Sequence, residues 1–258
     1  MQREKKNKKI IVIDILISLV VVALLFTGYK VYRTFKDDKE AIQEYEKLQN
    51  IAIDDGETDK NERGSIVVDF EKLSEINPQI VAWIYFEEPS VINYPIVQGE
   101  DNEKYLKTSF EGEENGAGCI YMDAQNKKDF GDKNTFIYGH NRRNGHMFGS
   151  LMNYKDEEYY KSHPYFEIHT PDGYKTQYQI FAVAEVDSTS ESYKRVYVNE
   201  TEYSNYIDMI RKSSLYETDV EVTKDSYIVS LSTCTNARME ERFIIHAVKI
   251  KQEQSKEE

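Results

Sequence analysis

The feature that most constrains this chain is the apolar run from Ile10 to Tyr29, interrupted only by Asp14, Ser18 and Thr27. About 20 residues rising ~1.5 Å each match the ~30 Å hydrocarbon core of a bilayer, so the run reads as one transmembrane helix. Ahead of it, residues 1–9 hold Arg3, Lys5, Lys6, Lys8 and Lys9 against Glu4 alone. That basic flank predicts a cytoplasmic N-terminus and a body outside the cell membrane. Thr27-Gly28-Tyr29-Lys30 lacks the small-residue pattern of a cleavage site, so the run is expected to persist as an anchor rather than be removed as a signal peptide.

The formal net charge is −13, and because residues 1–9 contribute +4 the remainder carries −17. An acidic body argues against nucleic acid as a partner. Between the anchor and the body, residues 30–64 form a juxtamembrane segment. Val31 to Ile51 places Phe35, Ile42, Tyr45 and Leu48 near the helical period, which fits a helix or a solvated spacer. The charge-rich stretch Asp54 to Gly64 then breaks the pattern, so a folded body is expected over 65–250 and a disordered tail over 251–258.

Within the body, a short helix over Phe70 to Ile76 ends at Asn77-Pro78, since the residue before proline is pushed out of the helical region. Strand patterning follows at Ile80–Phe86, Ile92–Val97, Gly118–Met122, Asn134–Tyr138, Tyr165–His169, Tyr174–Val186, Tyr227–Thr233 and Arg242–Ile250. Thr170-Pro-Asp-Gly predicts a hairpin turn. One amphipathic helix, with Tyr203, Tyr206, Ile207 and Ile210 on a single face, opens on the capping-box pair Asn199 and Glu202. Many short strands with few helices predict a mostly β fold, a closed mixed barrel with accessory helices.

Chemistry concentrates near Cys234, at the end of the apolar strand Tyr227-Ile-Val-Ser-Leu-Ser-Thr-Cys-Thr. The polar turn Asn236 to Glu241 returns the chain to Arg242, and a hairpin there sets a guanidinium beside the thiol, where it favours thiolate and can hold an oxyanion. Arg238 lies in the turn and is the weaker candidate. Of five histidines, His140 follows a strand and precedes a polar, glycine-containing loop, the placement expected of a proton carrier on a rigid scaffold. His246 shares the strand face of Arg242 but lies ~13 Å along it. The other cysteine, Cys119, has no His or Arg close in sequence and is expected to be a spectator thiol; a Cys119–Cys234 disulfide is the less favoured reading.

Tyr138-Gly-His-Asn-Arg-Arg-Asn-Gly-His-Met-Phe, Leu231-Ser-Thr-Cys-Thr and Glu241-Arg-Phe-Ile-Ile together resemble the histidine, cysteine and arginine motifs of the sortases, in their class B branch. Asn77-Pro-Gln-Ile-Val-Ala-Trp-Ile and Tyr94-Pro-Ile-Val-Gln-Gly extend the likeness over about Phe70 to Ile250. The resemblance implies a sortase barrel with N-terminal helices and a helix before the cysteine strand. It also implies a transpeptidase with His140, Cys234 and Arg242 catalytic. Cys234 would attack a Thr carbonyl in the C-terminal sorting signal of a secreted protein, of an Asn-Pro-x-Thr type, and a peptidoglycan amine would resolve the thioester. Asn102, Leu106, Tyr138 and Ser232 match family substrate-contact positions; from residue type alone they read equally as core residues, a helix cap or strand polar groups. No metal and no cofactor is expected.

Two other readings remain. A cysteine hydrolase would use water in place of the amine, but papain-like peptidases place Cys before His, whereas His140 precedes Cys234 by 94 residues. An anchored binding module explains the topology and none of the three motifs.

Overall fold

The computed structural model describes residues 2–53, 66–87, 89–235 and 237–254. The Asp54–Gly64 stretch, the expected start of the body at Ser65 and the last four residues lie outside them. The chain divides into two compact units, Met1–Glu40 and Ala41–Glu258. Helix α1 (Gln2–Ala52) contains the one stretch long and apolar enough to cross a membrane among the described residues. In the first unit, Ile, Leu, Val and Phe side chains from Ile11 to Phe35 are 47–70% exposed, an apolar surface that water does not tolerate and lipid does.

The second unit starts earlier than the sequence suggests. Ala41, Tyr45, Leu48 and Ala52 are buried in the main core, the Tyr45 hydroxyl donates to Gly118 O at 3.1 Å, and Gln49 Nε2 donates to Asn93 O at 2.8 Å. The end of α1 is therefore part of the body, and the helical period of Ile42, Tyr45 and Leu48 reflects packing against protein. Ile53 then bridges Val68, just before α2 (Phe70–Ile76), which Asp69 caps through Lys72 N.

Eight strands close a barrel in the order β1-β2-β3-β4-β7-β8-β6-β5. They are β1 (Ile80–Tyr85), β2 (Asn93–Val97), β3 (Ile120–Met122), β4 (Asn134–Tyr138), β5 (Tyr165–His169), β6 (Tyr174–Asp187), β7 (Ile228–Cys234) and β8 (Glu241–Gln254). β2–β3 and β4–β7 are parallel and the other pairs antiparallel, so the barrel is mixed as expected. Strand β8 runs four residues into the segment expected to be a disordered tail, because the long β6 supplies backbone partners as far as Tyr174↔Gln254. Among the described residues, the helix α3 (Glu157–Ser162) and a 3₁₀ stretch over Gly149–Lys155 fill the β4–β5 connection, which the strand pattern left open.

Side-chain parity decides which face of the barrel can do chemistry. Val229, Leu231, Phe243, Ile245 and Ala247 point into the barrel core. Their even-numbered neighbours point outward. There Ile228 and Val248 pack beneath α4 (Glu200–Lys212), while Phe136 and Ile244 pack beneath Tyr193 in the β6–α4 segment. Helix α4 begins where the capping pair predicts, with Asn199 Oδ1 accepting Glu202 N at 2.9 Å, while the Glu202 carboxylate accepts Val198 N, one residue before the cap.

Candidate active site

Cys234 and Arg242 are direct cross-strand partners in the β7–β8 ladder. Opposite residues share a face with Cβ atoms ~5 Å apart, so the hairpin brings the guanidinium stem alongside the thiol. The Arg242 Nη1 donates to Met239 O at 2.8 Å and Glu241 O at 3.2 Å. Those two bonds bend the side chain back over its own turn. The Glu241 carboxylate is engaged by Thr235 Oγ1 at 2.8 Å, and among the described residues no acidic side chain forms a salt bridge with Arg242. Arg238 is exposed in the turn, where its carbonyl accepts Glu241 N.

The parallel β4–β7 ladder ends on Tyr138↔Ser232, so two more residues along each strand bring His140 and Cys234 out at the same barrel end. Three hydrogen bonds tie the two exits together: Gly139 N to Ser232 O at 3.2 Å, Thr233 Oγ1 to Gly139 O at 2.7 Å, and Asn141 Nδ2 to Cys234 O at 2.7 Å. Thr233 and Asn141 were not singled out from the sequence, since their partners lie more than 90 residues away. Gly139 has no room for a side chain: a Cβ there would lie 2.4 Å from Ile120 Cδ1 and 2.8 Å from the Phe148 ring.

The His140 Nε2 lies 2.8 Å from Leu106 O. A carbonyl only accepts, so Nε2 carries the proton and Nδ1 is the lone-pair nitrogen of the neutral ring. Burial holds the His140 pKa below its ordinary value, partly offset by the Leu106 carbonyl and reinforced by Arg142, which keeps the ring neutral near pH 7. The Leu106 backbone thus fixes the orientation of the His140 ring. Gly118, at φ +61°, makes this possible, because a Cβ there would meet Tyr105 O at 2.4 Å and Leu106 O at 3.0 Å. Among the described residues no hydrogen bond joins His140 to the Cys234 thiol; such contacts commonly tighten only with substrate bound.

Two of the expected substrate-contact positions, Tyr138 and Ser232, are cross-strand partners on β4 and β7. Ser232 is buried, with Oγ 2.7 Å from the Tyr193 hydroxyl, and Tyr138 is half-buried, donating to Asp123 Oδ2 at 2.9 Å. Asn102 does not cap the following 3₁₀ turn; Asp101 Oδ1 takes Glu103 N and Lys104 N, while Asn102 reaches Asp123 and Ala124 instead. The side chain of Leu106 packs against the main core. Tyr193 is a site neighbour the sequence did not reveal: burial raises its pKa, Ser232 and Arg242 lower it and Cys234 raises it, so its hydroxyl sits within electrostatic reach of both.

His246 is structural. Its Nδ1 lies 2.7 Å from Ser230 Oγ, which itself donates to Asn134 Oδ1 at 2.7 Å, so Nδ1 carries the ring proton. Complete burial lowers its pKa to about 3. Cys119 is not paired with Cys234: it is buried, and its thiol donates to Thr108 O at 3.2 Å.

A family model for the sortase domain matches residues 88–250. Sortase B of Staphylococcus aureus is 34% identical over 241 residues, covering 91% of this chain and 95% of that protein. Sortase B of Listeria monocytogenes is 30% identical over 221 residues, covering 84% of this chain and 88% of that protein. Among solved structures, sortase B from Bacillus anthracis in complex with AAEK1 superposes with a TM-score of 0.73 at 34% identity, over 84% of this chain and 99% of that one. With the barrel, the strand order and these relatives in agreement, the chain belongs to the sortase family of cysteine transpeptidases, in its class B branch.

Proposed function

We propose that this protein is an extracytoplasmic transpeptidase, held in the membrane by α1 with its N-terminus inside, that joins secreted proteins to a cell-wall amine. The Cys234↔Arg242 register, with His140 leaving the adjacent parallel strand at the same end, is the observation that carries this reading. Cys234 Sγ attacks the carbonyl carbon of a Thr in the C-terminal sorting signal, its proton passing to His140 Nδ1. Arg242, turned from its own turn carbonyls, donates to the oxyanion. Collapse breaks the Thr peptide bond: His140 protonates the leaving amine, and the protein remains as a thioester on Sγ. A peptidoglycan amine then gives its proton to His140, attacks the thioester and releases the thiol, so the cycle closes without net change in the enzyme. The neutral, half-buried His140 suits both directions of transfer.

Asn102, Leu106, Tyr138 and Ser232 are assigned to substrate contact, with Ser232 on the face of Cys234 two residues before it. The resemblance of the motifs to class B sortases points to a signal of the Asn-Pro-x-Thr type. The test is to incubate the chain with fluorogenic peptides of that type and a glycine-based amine acceptor. Transfer product that requires Cys234 supports the reading, and transfer that survives Cys234→Ala rejects it.

A further inference from the structure

Asp123, the residue after β3, is a fully buried carboxylate in the second unit. Its Oδ2 accepts from Arg195 Nη1 at 2.8 Å, from the Tyr138 hydroxyl at 2.9 Å and from Asn102 Nδ2 at 3.1 Å, while Oδ1 accepts Gln125 N at 2.9 Å. A buried carboxylate without a cation is strongly disfavoured, and Arg195 provides the charge. The second guanidinium nitrogen, Arg195 Nη2, continues to Gln125 Oε1 at 2.6 Å, giving a two-point hold that Lys cannot copy.

This one oxygen fixes two of the residues assigned to the substrate. The Tyr138 proton is committed to Asp123, which leaves the phenol oxygen as an acceptor. Asn102 is held at both ends of its amide, since Oδ1 also accepts Ala124 N at 2.8 Å. The third arm anchors the β6–α4 segment. Arg195 sits two residues after Tyr193, whose ring stacks on Phe136 at 5.7 Å and whose hydroxyl meets Ser232. The segment is thereby pinned twice beside Cys234, once on β7 and once on the exit of β3. Its neighbouring residues Val196 and Val198 are left 79% and 86% exposed.

We infer that Asp123 and Arg195 are positioning residues for the sorting peptide: their ion pair orients Tyr138 and Asn102 and holds residues 188–198 as one wall of the peptide path, without touching the reacting atoms. The inference rests on the transpeptidase reading of Cys234 and adds the determinant of how tightly the peptide is held. The pair makes no contact with the peptide itself, so its loss acts only through the residues it orients.

The experiment uses the full chain in detergent with a fluorogenic Asn-Pro-x-Thr peptide, comparing wild type, Arg195→Gln, Arg195→Lys and Asp123→Asn. Arg195→Gln is expected to raise the peptide KM about tenfold while kcat, the KM for the amine and the rate of Cys234 alkylation by iodoacetamide stay within about threefold. Arg195→Lys is expected to fall between the two. Asp123→Asn sets an amide N–H against donors whichever way it faces and can compromise folding, so the partly exposed Arg195 carries the decision. A wild-type peptide KM in Arg195→Gln overturns the inference, as does a loss confined to kcat and alkylation rate. If wild type alkylates at Cys234 yet forms no acyl-enzyme, the transpeptidase reading falls and this inference falls with it.

Discussion

The two cysteines are the same residue in opposite settings. Cys119 is enclosed by the core, with burial pushing its pKa up and the buried Tyr45 phenol against it. Cys234 stands at the end of β7, partly exposed, opposite an arginine and hydrogen-bonded at its carbonyl by Asn141. The nucleophilic role proposed for Cys234 thus rests on where the strand ends and what the neighbouring strands bring to that end. The thiol itself contributes the same chemistry in both places.

Exchanging the two sites' side chains gives the largest expected contrast. Cys234→Ala should lower transfer by at least about 10⁴-fold, since no other group forms the thioester, while Cys119→Ala should leave kcat/KM within about threefold. A Cys119 variant as inactive as the Cys234 variant would break the contrast. Next in size is the cover on Cys119. Tyr45→Ala removes a buried ring from the end of α1 and should cost ~3–5 kcal/mol in urea unfolding, while making Cys119 open to alkylation in the native state. Retained stability would mean that α1 residues 41–52 are not part of the folded body.

Arg242→Ala tests the other half of the comparison. Removing the proposed oxyanion donor should reduce kcat about 10²-fold with peptide KM little changed, and Arg238→Ala should stay near wild type. The reverse ranking would move the role into the turn. The smallest effect concerns pH. His246 has a folded pKa of about 3 against ~6.5 unfolded, so between these values the unfolded chain holds a proton the folded chain lacks. Stability should be full above pH ~6.5 and fall by up to ~1.4 kcal/mol per pH unit below it, with His140 adding in the same direction. Urea midpoints at pH 7 and pH 5 check this, and His246→Gln should flatten the difference.

Local patterns made the barrel readable. Strand alternation located every strand, Asn134–Tyr138 and Tyr165–His169 to the residue, and the Asn199/Glu202 box located the start of α4. The pairing of Cys234 with Arg242 was also legible, because a short turn between two strands allows few registers. What stayed hidden depends on long-range register. Thr233 and Asn141 tie the β4 and β7 exits together, and the Leu106 carbonyl orients His140 from 34 residues away. Asp123 and Arg195, 72 residues apart, look like ordinary surface charges until the closed barrel buries one against the other. The strand at Lys251 to Gln254 stayed hidden for a related reason: these residues are polar, and only the length of β6 shows that their backbone has a partner.

The most direct test of the central claim is to trap the acyl-enzyme. The full chain is mixed with an Asn-Pro-x-Thr peptide in the absence of amine, then digested and mapped by mass spectrometry. The peptide acyl group is expected on the fragment containing Cys234 and to be discharged by added amine. An adduct on Cys119, or transfer that proceeds with Cys234 unmodified, would contradict it.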